Sequence, residues 1–307
     1  MKKITIKAKD NADINTVLYE ADTEQTKGIV IVCYGFGEHV EMYNELAEHL
    51  QQHGYTCVLY DQRGHGPAPD GRKKWFGIID SYQCFLDDAD AVAEAMRAMK
   101  PGVPVVLYGH SMGGNIAVNH LLQKAMSSAA GNATGNTAAA DTASVSGKPG
   151  NPAGYACAIL ESPWLGLSNG PSPALVGVVK FLSHILPDMI VPNKLTVSDI
   201  SSDPERANGY TTDPLYHNFI STRMFTGINN GCKTALANAA LMPVPVYLAY
   251  AANERIVCNK AIKQFAAAAG DMVTLKEYAS CHAIHNDVKH EEYFTDMIGY
   301  LDAHCLS

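Results

Sequence analysis

The sequence predicts an α/β fold, a mostly parallel, doubly wound sheet flanked by helices, and three observations point to it. Short, almost unbroken apolar runs recur at 29–33, 57–60, 105–108, 157–160 and 244–250. Runs of that kind suit strands buried on both faces, as in a parallel sheet. Helical patterns lie between or after them, at 42–53, 85–99, 115–126, 259–269 and 291–304, and strand alternating with helix marks the class. Finally, 307 residues of which 47% are hydrophobic bury a sizeable core without a disulfide or metal staple.

The elements follow in order. The chain opens on an alternation, Ile4 and Ile6, a polar D-N-A-D turn, then Val17 and Tyr19, which reads as a hairpin entering the sheet. The buried strands and their helices come next, and two segments break the rhythm. Residues 127–153 are small and polar with one Val. They cannot bury enough apolar surface to offset the entropy of ordering, so a flexible low-complexity insertion is expected. Residues 162–243 hold many helical stretches and few strand candidates, between two sheet strands. The expected organisation is a core of 1–161 and 244–307 with a helical cap of 162–243 inserted over the sheet.

Composition removes several functions. Lys and Arg number 23 against 31 Asp and Glu, a net charge of -8 with no basic block. That argues against nucleic acid and against electrostatic steering to anionic lipid. No apolar run approaches the roughly 18 residues of a spanning helix. The opening M-K-K-I-T-I-K-A-K-D has neither an apolar h-region nor a small-residue cleavage site. Eight Cys (33, 57, 84, 157, 232, 258, 281 and 305) are scattered without C-x-x-C, which suits reduced thiols and a cytoplasmic location.

The strand V-V-L-Y is followed by G-H-S-M-G, 109–113, and an apolar helix. A sharp strand-to-helix turn exposes a serine there, and small residues two before and two after avoid clashes. The helix N-terminus aims positive potential and free amides at the same spot. Ser111 is the predicted nucleophile. A second Gly-rich turn, C-Y-G-F-G-E-H, ends the first long strand. A tetrahedral oxyanion needs two donors about 3 Å away, and the backbone N–H groups of Phe36 and Met112 are the predicted pair.

A serine hydroxyl needs a base with a pKa near 7. Of twelve His, His282 follows the strand-like L-K-E-Y-A-S and precedes a C-terminal helix, where a loop reaches a nucleophile elbow. Glu254, in the loop after 244–250, completes the chain order Ser…Glu…His of α/β-hydrolases. Glu161 at the end of 157–160 is the alternative acid. His285, Asp287 and His290 beside His282 also read as metal ligands, but H-E-x-x-H is absent and the Cys are scattered. No metal and no organic cofactor is expected. His65, in D-Q-R-G-H-G, is expected to support a loop.

Together these residues resemble the monoacylglycerol lipase and lysophospholipase family of α/β-hydrolases, with its serine aminopeptidase S33-like hydrolase domain. The resemblance runs through G-F-G-E-H with Tyr43 shortly after, D-Q-R-G-H-G, Y-G-H-S-M-G-G, S-S-D-P-E-R, T-T-D-P-L-Y-H-N-F-I-S-T-R-M-F, N-E-R-I-V and C-H-A-I-H-N-D. That is most of the chain outside the insertion, and the string 213–225 discriminates best. It implies Ser111 as nucleophile, His282 as base, Phe36 and Met112 as oxyanion donors, and a single-chain acyl ester as substrate. Three positions depart from the family pattern: Tyr34 stands where His is usual, Glu254 where Asp is usual, and Pro67-Ala68 where a Ser is usual.

The stretch 173–187, P-A-L-V-G-V-V-K-F-L-S-H-I-L-P, is apolar with Lys180 and His184 one turn apart. It reads equally as a lid over an acyl pocket and as an ordinary packed helix; it is too short to span a bilayer and able to lie on its surface. Tyr34, Phe181 and Ile185 are the candidate pocket residues. Competing readings are a short-chain carboxylesterase, an aminopeptidase whose Glu205, Asp203 or Asp213 binds an amine, and a non-catalytic binding protein. The D-P pairs look more like turn and cap chemistry, and a binding module has no use for an intact Ser…Glu…His set.

Overall fold

The computed structural model describes residues 1–67, 76–133, 151, 153–192 and 195–306. Ten strands and nine α-helices are found among them: β1 (Lys2–Lys7), β2 (Asp13–Tyr19), β3 (Gly28–Cys33), α1 (Asn44–Gln52), β4 (Tyr55–Tyr60), α2 (Gln83–Met99), β5 (Val105–His110), α3 (Met112–Ala133) and β6 (Cys157–Glu161). Then come α4 (Pro173–Ile185), β7 (Ile190–Pro192), the one-turn α5 (Val197–Ile200), α6 (Pro204–Thr212), β8 (Phe219–Ser221), α7 (Thr222–Asn238), β9 (Val246–Ala251), α8 (Asn259–Ala269), β10 (Val273–Tyr278) and α9 (His290–Cys305).

Eight strands form one sheet in the order β1-β2-β4-β3-β5-β6-β9-β10. β2 runs antiparallel to β1 and β4, and every other pairing is parallel. The central strands β3, β4, β5, β6 and β9 are buried at every position, which is why their sequence is continuously apolar rather than alternating. Ile29, Ile31 and Leu107 join one core with α2, α3, α7 and α8, and Val30, Val32 and Tyr108 join the other with α1 and α9. Ile116 to Val118 and Leu121 to Leu122 in α3 are all inaccessible, and the polar Asn115, Asn119 and His120 between and beside them are buried and hydrogen-bonded, so this stretch of the helix is enclosed by its neighbours.

Two expectations change. The low-complexity insertion does not begin at 127, because α3 continues to Ala133; the expectation for 134–150 and 152 lies outside the described residues. The cap does not reach 243. Met224, Ile228, Cys232 and Ala235 of α7 are buried in the core beside α3, so α7 belongs to the helical layer on the sheet. An amphipathic helix cannot be assigned to cap or core from its own pattern, since both bury one face. The segment 162–221 carries α4 to α6 and a small β7–β8 ribbon that sequence patterning missed, three residues per strand being too short for a period.

Candidate active site

The predicted nucleophile elbow lies between β5 and α3. Ser111 has φ +51°, a left-handed conformation that costs a non-glycine residue energy and persists where surroundings over-determine it. Its N–H donates to the Glu161 carbonyl at 3.0 Å, and its own carbonyl accepts from Trp164 N–H at 2.8 Å and Asn115 N–H at 3.2 Å. Gly113 packs so tightly under the end of β3 that a Cβ there would collide with the Cys33 carbonyl. The small residue two places after the serine thus lets elbow and oxyanion loop touch.

Phe36 and Met112 lie at the two sides of that contact. Among the described residues neither backbone N–H has a protein acceptor, as an oxyanion hole requires. Gly35 N–H, in contrast, is committed to Glu38 Oε2 at 2.8 Å. The loop is held from both ends. Gln62 N–H donates to the Tyr34 hydroxyl at 2.6 Å, and Gln62 Nε2 to the Tyr34 carbonyl at 2.9 Å. His39 Nε2 bonds Asp213 Oδ2 at 2.8 Å. His65 holds the Arg63 carbonyl through Nδ1 at 2.9 Å and packs its ring against Tyr34, Phe36 and His217.

His282 and Glu254 meet as the chain order requires. His282 Nδ1 stands 2.7 Å from Glu254 Oε2, which leaves Nε2 for the hydroxyl. Glu254 Oε1 accepts the N–H groups of Ile256 at 2.8 Å and Val257 at 3.1 Å, so both carboxylate oxygens are occupied and the rotamer is fixed. Burial alone would raise the Glu254 pKa, but the His282 charge and these hydrogen bonds hold it below the usual carboxylate range. Burial likewise opposes charge on His282, yet the Glu254 charge and hydrogen bond, with Glu38 and Glu161 further off, raise its pKa above the ordinary imidazole value. The one-turn α5 pins this loop: Ala283 N–H donates to the Ile200 carbonyl at 2.9 Å.

Glu161, the alternative acid, does not touch His282. Its Oε1 accepts the N–H and Nδ1 of His285, at 3.0 and 2.9 Å. Asp287 accepts from Ser201, Ser202, Ser280 and Cys281, and His290 contacts the Asp287 carbonyl and Arg206. The side chains of the four residues in the sequence-level metal reading therefore engage separate sets of partners. Donor atoms of His110, Glu161 and His285 do lie within 4.8 Å of one another, but the Glu161 oxygens there are taken by His285 and Tyr108.

Ser111 and His282 line one cavity of about 520 Å³, a single-ligand size. Its apolar wall includes Phe36, Trp164, Leu175, Val179, Ile220 and Phe225, and Arg255, Asp199 and Asn169 add polar groups. The pocket candidates are corrected on all three counts. Tyr34 is wholly inaccessible and packs in the α1 and α9 core. Phe181 and Ile185 are 65% and 58% exposed and absent from the wall; α4 turns Leu175 and Val179 inward instead. The sequence showed an apolar helix but not its rotation. Glu38, Tyr43 and His110, whose hydrogen bonds close beneath the loop, were also missed as a network, although each sits in or beside a motif string.

The sequence profile of the serine aminopeptidase S33 family matches residues 24–145 and 129–289. The chain belongs to this family. Among its relatives, an uncharacterized abhydrolase domain-containing protein of Dictyostelium discoideum is 26% identical over 94% of this chain, which spans 28% of that protein's length. A monoacylglycerol lipase of Mycolicibacterium smegmatis is 23% identical, with 94% of this chain and 93% of that protein aligned. The crystal structure of a soluble variant of Saccharomyces cerevisiae monoglyceride lipase, in complex with a substrate analog, superposes with a TM-score of 0.78 at 22% identity, covering 98% of this chain and 96% of the other. The fold is that of an α/β-hydrolase, with the mostly parallel α/β sheet that the strand and helix alternation predicted and the hydrolase assignment that the motifs implied.

Proposed function

We propose that this S33-family protein is a serine carboxylic-ester hydrolase acting on a single-chain acyl ester, of the monoacylglycerol or lysophospholipid type. The observation that carries the reading is the Glu254–His282 hydrogen bond of 2.7 Å beside a cavity that Ser111 shares. Ser111 attacks the ester carbonyl while His282 Nε2 takes its proton, and Glu254 stabilises the imidazolium. The N–H groups of Phe36 and Met112 hold the developing oxyanion. His282 then protonates the leaving alcohol, and water repeats the sequence on the acyl-enzyme. Besides the ester and the hydrolytic water, every step uses groups of this chain. Residues 162–221 serve as the cap, with the acyl chain against Leu175, Val179 and Phe225.

The aminopeptidase alternative loses its ligands. Asp203 accepts the Glu205 N–H at 2.9 Å as the N-cap of α6, and Asp213 is engaged by His39; Glu205 is outside the cavity wall. The amide specificity in the family's name thus finds no acidic amine subsite from these residues. A non-catalytic role is disfavoured by the strained Ser111 and the two uncommitted amides. The discriminating experiment is a panel of monoacylglycerols, lysophospholipids, short esters and an aminoacyl-anilide, with Ser111→Ala as blank; turnover of the anilide alone would reverse the assignment.

Contact with a lipid surface fits the same reading. α4 has no buried residue, and Leu175, Val178, Phe181 and Ile185 are exposed. Leu175 and Val191 are both exposed and part of the cavity wall, so the apolar face is continuous with the cavity a lipid must enter. No described helix is long and apolar enough to cross a membrane. Eight free thiols support a reducing, cytoplasmic setting.

A further inference from the structure

We propose that Glu161 is a positioning residue for this hydrolysis, a buried cross-brace that fixes the loop carrying His282 against the strand carrying Ser111. The inference rests on the Ser111, His282 and Glu254 reading and extends it to a carboxylate that the mechanism does not use.

Glu161 ends β6, directly opposite His110 in the parallel ladder. It is fully inaccessible, and an unpaired carboxylate there would be very costly. Its carbonyl and both carboxylate oxygens are engaged by two elements. Its carbonyl accepts the Ser111 N–H at 3.0 Å, and its Oε2 accepts the Tyr108 hydroxyl. Both donors belong to the strand-and-elbow segment that presents the nucleophile. Its Oε1 accepts the His285 N–H at 3.0 Å and His285 Nδ1 at 2.9 Å. Those donors belong to the short turn three residues after His282.

The charge state agrees with the geometry. Burial would raise the Glu161 pKa, but the His285 and His110 charges and the hydrogen bonds hold it at about 2. Burial would discharge His285, but Glu161 raises its pKa above the ordinary value. Hydrogen bonds to an ionised carboxylate are stronger than neutral ones. The His285 ring is stacked on Tyr43 at 4.7 Å and meets His110 edge-on at 4.9 Å. His110 in turn lies 5.0 Å from the His282 ring. A shift of His285 therefore has a packed route to the base as well as a covalent one. Without the carboxylate, two buried donors of His285 lose their partner, and the loop has a reason to swing out of register with Ser111. Misalignment of reacting groups by about 1 Å costs on the order of a hundredfold in rate.

The test uses the full chain with Glu161→Gln, which keeps the shape and removes the charge, and Glu161→Leu, which removes every acceptor. The expected result is a graded loss of kcat, about tenfold for Gln and a hundredfold or more for Leu, with KM within threefold because Glu161 itself is not part of the cavity wall. The rate of fluorophosphonate labelling at Ser111 should fall in step with kcat, a readout that a loss of stability alone does not move while the protein stays folded. Folded Glu161→Gln with kcat and labelling rate within twofold of wild type would overturn the proposal, as would a loss confined to KM. Should Glu161→Gln not fold, Tyr108→Phe, which removes the strand-side donor to Oε2 while the His285 contact to that oxygen remains, is judged by the same kcat, KM and labelling criteria. Failure here is separable from failure of the hydrolase reading: Ser111→Ala that still turns over ester and still labels would sink the latter whatever Glu161 does.

Discussion

The Gly37 carbonyl accepts the His217 N–H at 3.0 Å, a hydrogen bond that ties the oxyanion loop to the cap string read at the sequence level as the most discriminating. Gly37 has φ +80°, and a Cβ on it would strike the His217 carbonyl. The two motifs lie about 180 residues apart in the chain and form one structure. Gly37→Ala should therefore lower kcat/KM by tenfold or more, since the left-handed conformation alone costs about 1–2 kcal/mol and the clash displaces the loop that carries Phe36. Steady-state kinetics beside a thermal melt would check this; unchanged kinetics in folded protein would refute the coupling.

Ser111→Ala should abolish fluorophosphonate labelling and reduce ester turnover by about 10⁴-fold or more, leaving only what the oxyanion donors and binding provide. Serine 111 is nearly inaccessible, so the fold should tolerate the change. Intact-mass detection of the labelled protein is the direct assay.

Glu254→Gln tests the acid. Loss of the carboxylate removes the partner that fixes the His282 tautomer and stabilises its charged form, and kcat should fall by about 10³–10⁴. The same pair sets the acid limb of the pH profile. His282 must be neutral to act as base, and its pKa is raised, so wild-type kcat/KM should fall away at a pH above the ordinary imidazole value, with activity recovered as pH rises. In Glu254→Gln the limb should move down. An acid limb that stays put would show that another group controls it.

Phe181→Ser combined with Val178→Ser should leave hydrolysis of a water-soluble short ester unchanged, since both side chains are exposed and outside the cavity wall. Stability should change by less than about 0.5 kcal/mol. Sedimentation with zwitterionic lipid vesicles should weaken severalfold, and because the contact is apolar and this lipid carries no net charge, wild-type binding should be insensitive to salt. Equal vesicle binding by wild type and variant would remove α4 as the contact.

His120, on α3 and bonded through Nε2 to the Tyr155 hydroxyl at 2.9 Å, offers a stability test away from the cavity. Burial depresses its pKa to about 4 against an ordinary 6.5. The folded state thus favours the neutral ring. Its contribution is intact above pH 6.5 and drains away as the pH falls from there through about 4, because the unfolded chain binds the proton first. His120→Gln lacks this term, so urea melts at pH 7, 6 and 5 should show wild type losing ground to the variant as the pH drops. A constant difference would refute the assignment.

Sequence alone made the central strands legible and singled out the candidate reacting groups. Val30 to Val32 and Val105 to Leu107 read as buried strands because a parallel sheet covered on both faces leaves no polar side to alternate with. Ser111 was legible because its strained turn demands glycines at fixed offsets, and His282 and Glu254 because each follows a sheet strand. What the sequence could not decide was rotation and partnership. The apolar helix α4 turns Leu175 and Val179 to the cavity and Phe181 to solvent, Tyr34 packs away from the site, α7 joins the core, and Glu254 rather than Glu161 finds His282. Those outcomes depend on contacts between residues far apart in the chain, where periodicity and spacing, being local quantities, carry no information, and only close packing of the assembled layers selects one arrangement.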